Sequence, residues 1–357
     1  MKIVFLSFYQ GFIPRGMETV VHELARRLAK KRQVMVIQAG PRYAAQQGYE
    51  VRRIKINLNW PEIDSAGWAR KLMVDYFYRK IAVFSLKAWP LLKEYDSDMV
   101  IPVNGGWQSF LMKLYCLKNK SKLVLLGQAG IGWDDRWNLL MKPDLFIALN
   151  KRNLDWSKKH SRLGQKFVVI PNGVDLKRFN PKENELKSKL EKPIILCVAG
   201  HERYKRVKET ISAVKRLNKG SLVLACSSSL YDDFGKKVLG KRFLRKEFKH
   251  QEMPKVYRGV DVFTLVSQSF EAFGVAYLEA MASGLPVVAT DDQMRREIIG
   301  KAGLFVKNPG NSKGYAQKLE KALKMEWGDK PRKQAEKFSW DKIAEKYQEE
   351  MQELIRS

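Results

Sequence analysis

The stretch that decides the fold is residues 262–290, VFTLVSQSFEAFGVAYLEAMASGLPVVAT. It opens with the apolar run Val262–Val266 and closes with a second apolar run at Val287–Thr290. Between the two runs a helix is predicted to begin near Val275 and to end at Ser283-Gly284. Continuous runs of Val, Leu and Phe are typical of strands that are buried on both faces of a parallel sheet. The stretch therefore predicts a strand–helix–strand unit.

The same alternation of short apolar runs and helical patterns extends along the chain in two series. The strands predicted in the first half are Ile3–Ser7, Val34–Gln38, Val51–Ile56, Met99–Val103, Leu123–Leu126, Leu145–Leu149 and Phe167–Ile170. In the second half the pattern predicts strands at Ile194–Ala199, Leu222–Cys226, Val262–Val266 and Val287–Thr290. Strands that alternate with helices indicate βαβ units, and 357 residues exceed what one core usually supports. The sequence therefore predicts an α/β protein with two doubly wound domains. A turn signal at Pro171-Asn172-Gly173 marks the boundary.

The chain is strongly basic, with 66 Lys and Arg against 38 Asp and Glu and a formal net charge of +28. The excess is spread over both halves of the sequence. A field of this sign favours anionic partners such as nucleotides, phospholipid surfaces or nucleic acid. No nucleic-acid recognition motif is visible, so nucleic acid is not expected as the partner.

The three cysteines, Cys116, Cys197 and Cys226, lie in apolar runs and their spacing fits no metal motif. They are predicted to be buried free thiols in a reducing compartment. No run reaches the roughly 20 apolar residues that span a bilayer, and the first residues form a strand pattern too short for a signal peptide. These patterns predict a cytoplasmic location.

The loop before Val275 carries groups that suit a phosphorylated ligand. Gly274 permits close backbone approach, and the N-terminus of the following helix exposes free N–H groups that bind phosphate well. Glu271 precedes this helix and Glu279 lies a turn or so inside it, so both could reach hydroxyls of the same ligand. The alternative is that Glu271 is an acid favoured by the helix dipole and Glu279 is a surface residue.

A second informative loop, Ala199–Val207, follows the first strand of the second series. Its glycine and its cations suit a pyrophosphate leaving group, because neutralising charge that builds up on the leaving phosphate lowers the barrier to reaction. The alternative is that Arg203, Lys205 and Arg206 are solvated surface charges in a very basic protein.

Glu271 and Glu279 bracket seven residues, in a phrase that resembles the Glu-x7-Glu signature of the family-four retaining glycosyltransferases. Other segments resemble that family in the same order. They are Gly16-Met17-Glu18 with the following helix, Ile170–Asp175, Met253-Pro254 with Tyr257, and Phe338-Ser339-Trp340. The resemblance covers nearly the whole chain and is weakest between about Gln38 and Trp107.

This resemblance implies the GT-B fold, in which two Rossmann-like domains face a cleft. The acceptor-side domain would comprise residues 1–170 and a returning C-terminal helix at 336–357, and residues 171–335 would bind the donor. The activity implied is a retaining, hexosyltransferase-type transfer from a nucleotide sugar to a glycan or lipid-linked acceptor. It would need no cofactor and no metal, and the enzyme would be cytoplasmic or peripheral on the inner face of the membrane.

The resemblance also implies roles for individual residues. Backbone N–H groups of Phe273, Gly274 and Val275 would hold the donor diphosphate. Glu279 would bind the ribose hydroxyls and Glu271 the transferred sugar.

Gly16 would let the N-terminal loop approach the donor, and Gly200 and Lys205 would lie beside the diphosphate. The family usually has Arg directly after this glycine. His201 stands there instead, so either His201 or Arg203 would take that role. Gln128 occupies the place where many relatives carry a histidine. With Asn104 it is a candidate on the acceptor side.

Residues 65–95 combine aromatic and cationic side chains, including Trp68 and Trp89. Such a helix can lie on an anionic membrane with Trp68 and Trp89 facing lipid, which makes that surface a candidate partner. The alternative is a core helix with an exposed basic face.

Other activities compatible with the pattern are nucleotide-sugar epimerisation and, outside catalysis, binding of nucleic acid. A phosphorylase would need a pyridoxal lysine and usually a much longer chain. An epimerase would turn over the donor without any acceptor, which distinguishes it from a transferase.

Overall fold

The computed structural model describes residues 1–12, 16–43, 46, 48–58, 68–69, 72–161, 164–182, 189–200, 202–269 and 271–356. The chain divides into two compact units, here called unit 1 (Met1–Pro171 and Trp340–Ser357) and unit 2 (Asn172–Ser339). The sequence-based divisions at 170/171 and 335/336 lie one and four residues before these.

Unit 1 contains a seven-stranded sheet in the order β3-β2-β1-β4-β5-β6-β7. Every pairing between these strands is parallel. The strands are β1 Lys2–Ser7, β2 Gln33–Gln38, β3 Glu50–Arg53, β4 Met99–Pro102, β5 Lys122–Gly127, β6 Leu145–Ala148 and β7 Lys166–Val169. The helices before the crossing to unit 2 are α1 Gly16–Leu28, α2 Tyr76–Tyr95, α3 Gly106–Asn119, α4 Trp133–Leu140 and α5 Lys151–His160. Two apolar clusters pack on this sheet. One contains residues of α1, and the other contains residues of α2 and α3.

Unit 2 contains a six-stranded sheet in the order β10-β9-β8-β11-β12-β13, again with parallel pairings. Its strands are β8 Ile194–Val198, β9 Ser221–Ala225, β10 Phe243–Lys246, β11 Val262–Leu265, β12 Val287–Thr290 and β13 Gly303–Val306. Its helices are α6 Val207–Leu217, α7 Asp232–Leu239, α8 Met253–Arg258, α9 Val275–Ala282, α10 Gln293–Ile299, α11 Ser312–Lys324 and α12 Lys330–Glu336. The predicted fold class, two doubly wound parallel sheets, is confirmed.

The last helix, α13 (Trp340–Arg356), returns to unit 1. Its residues Trp340, Ile343, Tyr347 and Met351 are buried in the same cluster as the inner face of α1. The amphipathic pattern of this segment arises because one face completes the core of unit 1.

Each sheet has a point at which the strand order reverses, and this is where open α/β sheets bind ligands. In unit 2 it lies between β8 and β11, which are neighbours in the sheet. The two loops that the sequence singled out follow these two strands at their carboxyl ends. In unit 1 the corresponding point lies between β1 and β4.

The aromatic and basic segment proved to be mainly a core helix. Of residues 65–95, positions 65–67 and 70–71 lie outside the described residues. Trp68 is 65% exposed. Trp89, by contrast, packs against the core cluster and edge-on to Tyr115 at 5.9 Å between ring centroids. The expectation that Trp89 faces lipid is therefore wrong, because its ring fills the space between α2 and α3.

The three cysteines are buried and unpaired, as predicted. Among the described helices, none has the length and apolar character required to cross a bilayer.

Candidate functional site

The loop between β11 and α9 presents the start of a helix at the carboxyl edge of the unit 2 sheet. Gly274 caps α9 with a φ of +84°, in the left-handed region. A Cβ on Gly274 would lie 2.5 Å from the ring of Tyr277. The positive φ and the ring of Tyr277 thus explain why position 274 is a glycine. Its presence does not by itself indicate that a ligand approaches here.

The first amides of α9 have no acceptor inside the helix, as at every helix N-terminus. Val275 and Ala276 are partly exposed, whereas Phe273 is buried and contacts Phe338 edge-on. The predicted diphosphate-binding backbone at Phe273–Val275 therefore lies where a helix terminus can offer N–H groups to an anion.

Lys205 and Glu271 form an ion pair through Nζ and Oε2. Their side chains are only 15% and 11% exposed. Burial alone would lower the pKa of Lys205, but the charge of Glu271 and its hydrogen bond outweigh burial and raise that pKa. Lys205 is therefore a fixed, partly buried cation. The alternative that it is a solvated surface charge does not hold.

The two loops are also joined through their backbones. The amide of Gln268 donates to the carbonyl of Tyr204 at 2.8 Å, and the amide of Glu271 donates to the carbonyl of Gln268 at 3.2 Å. Lys205 ends a short 3-10 turn, Arg203–Lys205, that aims its side chain at the second loop. Because β8 and β11 are adjacent strands, residues 66 positions apart in sequence meet here.

Glu279 lies on α9, partly buried, and accepts a hydrogen bond from the hydroxyl of Tyr257 at 2.9 Å. Tyr257 is fully buried. Burial raises the pKa of Glu279, while the Tyr257 hydrogen bond and the charge of Arg178 act in the opposite direction. Within the described part of the chain, no donor reaches the other carboxylate oxygen. The Tyr257 hydrogen bond therefore orients Glu279, and its other carboxylate oxygen can accept from a ligand. A surface residue would not be oriented in this way.

Arg295, which was not predicted from the sequence, binds the loop between β11 and α9 from within the core. Its side chain is fully buried and donates to Ser267 Oγ at 2.6 Å, to the Gln268 carbonyl at 3.1 Å and to Tyr277 Oη at 3.0 Å. It also pairs with Asp292, which caps the N-terminus of α10. A signal existed in the sequence: Asp292 stands at a helix start, three residues before an arginine on the apolar side of that helix.

The other predicted residues of unit 2 are Gly200, Arg203 and His201. Gly200 lies two residues after the end of β8, and a Cβ there would meet the Glu202 carboxylate at 2.2 Å. Arg203 is exposed, and the structure does not bring it into contact with Glu271. His201 lies outside the described residues.

In unit 1, Gly16 is exposed and is the first residue of α1, and a Cβ on it would meet no atom of the residues that the structure describes within 4 Å. Asn104 Oδ1 accepts from the Phe8 amide at 2.7 Å, so it ties the loop after β4 to the loop after β1. Gln128 is partly buried and directly follows β5. Its backbone N–H donates to the Leu126 carbonyl at 2.9 Å.

Two family models match consecutive parts of the chain. The model described as Glycosyltransferase Family 4 matches residues 14–178, and the model described as Glycosyl transferases group 1 matches residues 179–339. Together they match residues 14–339, which include every predicted site residue named above.

Curated relatives and solved structures agree with these matches. The chain is 29% identical to the sulfoquinovosyl transferase SQD2 of Arabidopsis thaliana over 73% of this chain and 51% of the relative. It is 34% identical to the lipopolysaccharide core biosynthesis mannosyltransferase LpsB of Rhizobium meliloti, over 43% of this chain and 47% of the relative. The chain thus spans about half the length of these relatives.

Among solved structures, HepE of Anabaena in complex with UDP and glucose superposes with a TM-score of 0.74. That similarity covers 99% of both chains at 15% identity and shows a shared fold.

Proposed function

Because this chain belongs to the group 1 glycosyltransferases, we propose that it moves a sugar from a nucleotide-sugar donor to a glycan or lipid-linked acceptor with retention of configuration. The observation that carries this proposal is the Lys205–Glu271 ion pair, which lies where the strand order of the unit 2 sheet reverses. Glu271 belongs to the loop that leads to the free amides of α9. A cation, free N–H groups and two oriented carboxylates are what a sugar diphosphate requires.

In the proposed complex the diphosphate contacts the amides of Phe273–Val275 and the ammonium of Lys205. An ammonium has three N–H donors, so Lys205 can bind phosphate oxygen and keep its bond to Glu271. Glu279 would accept from the ribose hydroxyls with the oxygen that Tyr257 leaves open. Glu271 would accept from a hydroxyl of the transferred sugar. Gly200, with Arg203 or His201, would border the same phosphates.

The reaction we propose needs no protein base. The bond between the anomeric carbon and the phosphate oxygen breaks, and the acceptor hydroxyl oxygen bonds to the same face of that carbon. The proton of the acceptor hydroxyl passes to the leaving phosphate, whose growing negative charge Lys205 and the helix amides stabilise. These groups supply the positive field, so we propose that no metal and no cofactor is required. Gly16, Gln128 and Asn104 stay proposals for the N-terminal loop and the acceptor side.

The donor is identified first, by thermal shift with UDP-, GDP-, ADP- and dTDP-sugars. With that donor, we expect Lys205→Met to lower turnover at least about tenfold, because the leaving diphosphate loses its fixed cation. Lys215→Met, an exposed lysine on α6, is the matched control and should leave turnover unchanged. Glu271→Gln should lower turnover mainly, and Glu279→Gln should weaken nucleotide binding mainly.

Wild-type turnover in all three site variants would refute the assignment. Product anomers followed by NMR establish retention or inversion, and a reaction that consumes donor without acceptor would indicate an epimerase. Activity is expected to survive EDTA. Complete loss that Mg²⁺ or Mn²⁺ restores would contradict the metal-free site.

A further inference from the structure

Helix α3 (Gly106–Asn119) of unit 1 is apolar on both sides. Its inner face places Met112, Tyr115 and Cys116 in the core. On its outer face Leu114 and Leu117 are 41% and 67% exposed. The helix contains no acidic residue. A surface helix normally shows polar residues to solvent, so this outer face requires an explanation.

The neighbouring helix α2 extends the same surface. Trp89 of α2 packs on Tyr115 of α3, which holds the two helices side by side. Val83 and Leu86 on the outside of α2 are 44% and 52% exposed. We call Val83, Leu86, Leu114 and Leu117 the α2–α3 outer face.

Further apolar side chains lie near the start of these helices. The indole Nε1 of Trp107, in the first turn of α3, donates to the Met73 carbonyl at 2.8 Å. This bond fixes the segment on either side of Met73, where Leu72 is 64% and Val74 39% exposed. The exposed apolar side chains therefore continue from the outer face toward the carboxyl end of the sheet.

The charges on the two helices are almost all of one sign. They carry Arg79, Lys80, Lys87, Lys93, Lys113 and Lys118 but only one acid, Glu94. Of these cations, Arg79, Lys87, Lys93 and Lys118 are exposed. A partner for this surface must accept leucine and valine side chains and supply negative charge around them.

A second copy of this chain does not satisfy both conditions. A two-fold interface pairs a patch with itself, so the lysines and arginines of one copy would meet those of the other. An anionic bilayer satisfies both, because aliphatic side chains enter the boundary between headgroups and acyl chains while lysines reach lipid phosphates. We propose that the α2–α3 outer face docks this protein on an anionic membrane surface. The proposal needs no glycosyl transfer, and its test uses no donor.

The test is co-sedimentation of the full chain with vesicles of phosphatidylcholine alone, or of phosphatidylcholine and phosphatidylglycerol mixed 7:3. We expect binding only to the mixed vesicles, falling as NaCl rises. In Leu114→Ser/Leu117→Ser, the apparent partition constant should drop at least about tenfold, because two apolar side chains no longer insert. The matched apolar control is Leu230→Ser, which replaces a 59% exposed leucine of unit 2 and should bind as wild type does.

The contribution of charge to vesicle binding is tested with the double variant Lys87→Glu/Lys118→Glu. Its control is Lys215→Glu/Lys321→Glu, which makes the same charge change on exposed lysines of unit 2. Only the first pair should weaken vesicle binding. Unchanged melting temperatures would show that the variants fold, and nucleotide-sugar thermal shifts on the same proteins report the proposed function separately. Equal binding to both vesicle types, or no effect of either α2–α3 variant, would overturn the proposal. So would a dimeric mass that Leu114→Ser/Leu117→Ser abolishes, since that assigns the face to a second copy.

Discussion

At the scale of single residues, the structure explains one glycine of the candidate site and leaves another unexplained. Gly274 is dictated within the chain, by its positive φ and by the ring of Tyr277. For Gly16 the described residues show no such reason, because a methyl group there would meet none of their atoms within 4 Å. If Gly16 is needed, the described residues do not show why, and the proposed donor contact would supply a reason.

We therefore expect Gly16→Ala to leave the melting temperature unchanged and to lower turnover at least about tenfold. The reason is that the donor of the proposed complex would contact the added methyl group, whereas no described residue would. Gly274→Ala is the contrasting variant and should lower the melting temperature, since the ring and the backbone must both shift. Full activity in a stable Gly16→Ala protein would show that the N-terminal loop stays clear of the donor.

The residue scale also shows what the sequence could not reveal. The pattern of Glu271, Glu279 and Lys205 was visible in the sequence, but the pairing of Lys205 with Glu271 depends on β8 lying next to β11. The sequence carried a signal for Arg295 in the Asp292 cap, but it did not show which groups Arg295 contacts. Its partners Ser267 and Gln268 lie on another loop, and arginines are rarely buried, so composition favoured an exposed side chain.

At the scale of elements, α4 carries a buried carboxyl group. Asp135 is 3% exposed, and Asn138 Nδ2 donates to its Oδ1 at 3.4 Å. Burial raises the pKa of Asp135 to about 8, with a smaller contribution from the charge of Asp134 and opposition from Asn138 and Gly130. The unfolded chain would lose this proton near pH 4. The contribution of Asp135 to stability is therefore fully present below about pH 4 and is lost as pH rises through about 8.

We expect Asp135→Asn to raise the free energy of unfolding at pH 8 and to have much less effect at pH 5. The amide keeps the shape of the carboxylic acid but cannot ionise. Urea unfolding at pH 5, 6.5 and 8 measures the difference, with Asp155→Asn, at an exposed aspartate of α5, as the control. A gain that does not depend on pH would mean that Asp135 is already ionised in the folded protein.

Elements differ in how well their sequences predict them. The central strands were recognisable as continuous apolar runs because both of their faces are covered. Strands β10 and β13 were missed, and both lie at edges of the unit 2 sheet. Their residues are mostly exposed or half-buried, so charged and small side chains interrupt the apolar run. The segment between Gln38 and Trp107 was the weakest part of the resemblance, and it contains β3, an edge strand of unit 1.

At the scale of the whole molecule, the core of unit 1 is built from both ends of the chain. Tyr347 of α13 is fully buried among residues of α1 and β1, all of which belong to unit 1. Tyr347→Ala should cost about 3–5 kcal/mol, the usual range for deleting a buried aromatic ring.

Hydrogen exchange should then show faster opening of β1 and β4, while β8 and β11 keep their wild-type protection. Lys346→Ala, an exposed neighbour on the same helix, serves as the control. Equal loss of protection in both sheets would show that the two units unfold as one cooperative body.

The buried cysteines give this molecule its own reporters of opening. Cys116 lies in unit 1, and Cys197 and Cys226 lie in unit 2. Burial raises the pKa of Cys116 and Cys197 to about 12, so at neutral pH neither offers a thiolate to an alkylating reagent. Cysteine alkylation read by mass spectrometry would thus time the opening of each unit in the unmodified protein. A cysteine engineered on the surface could carry a fluorophore without removal of the native three.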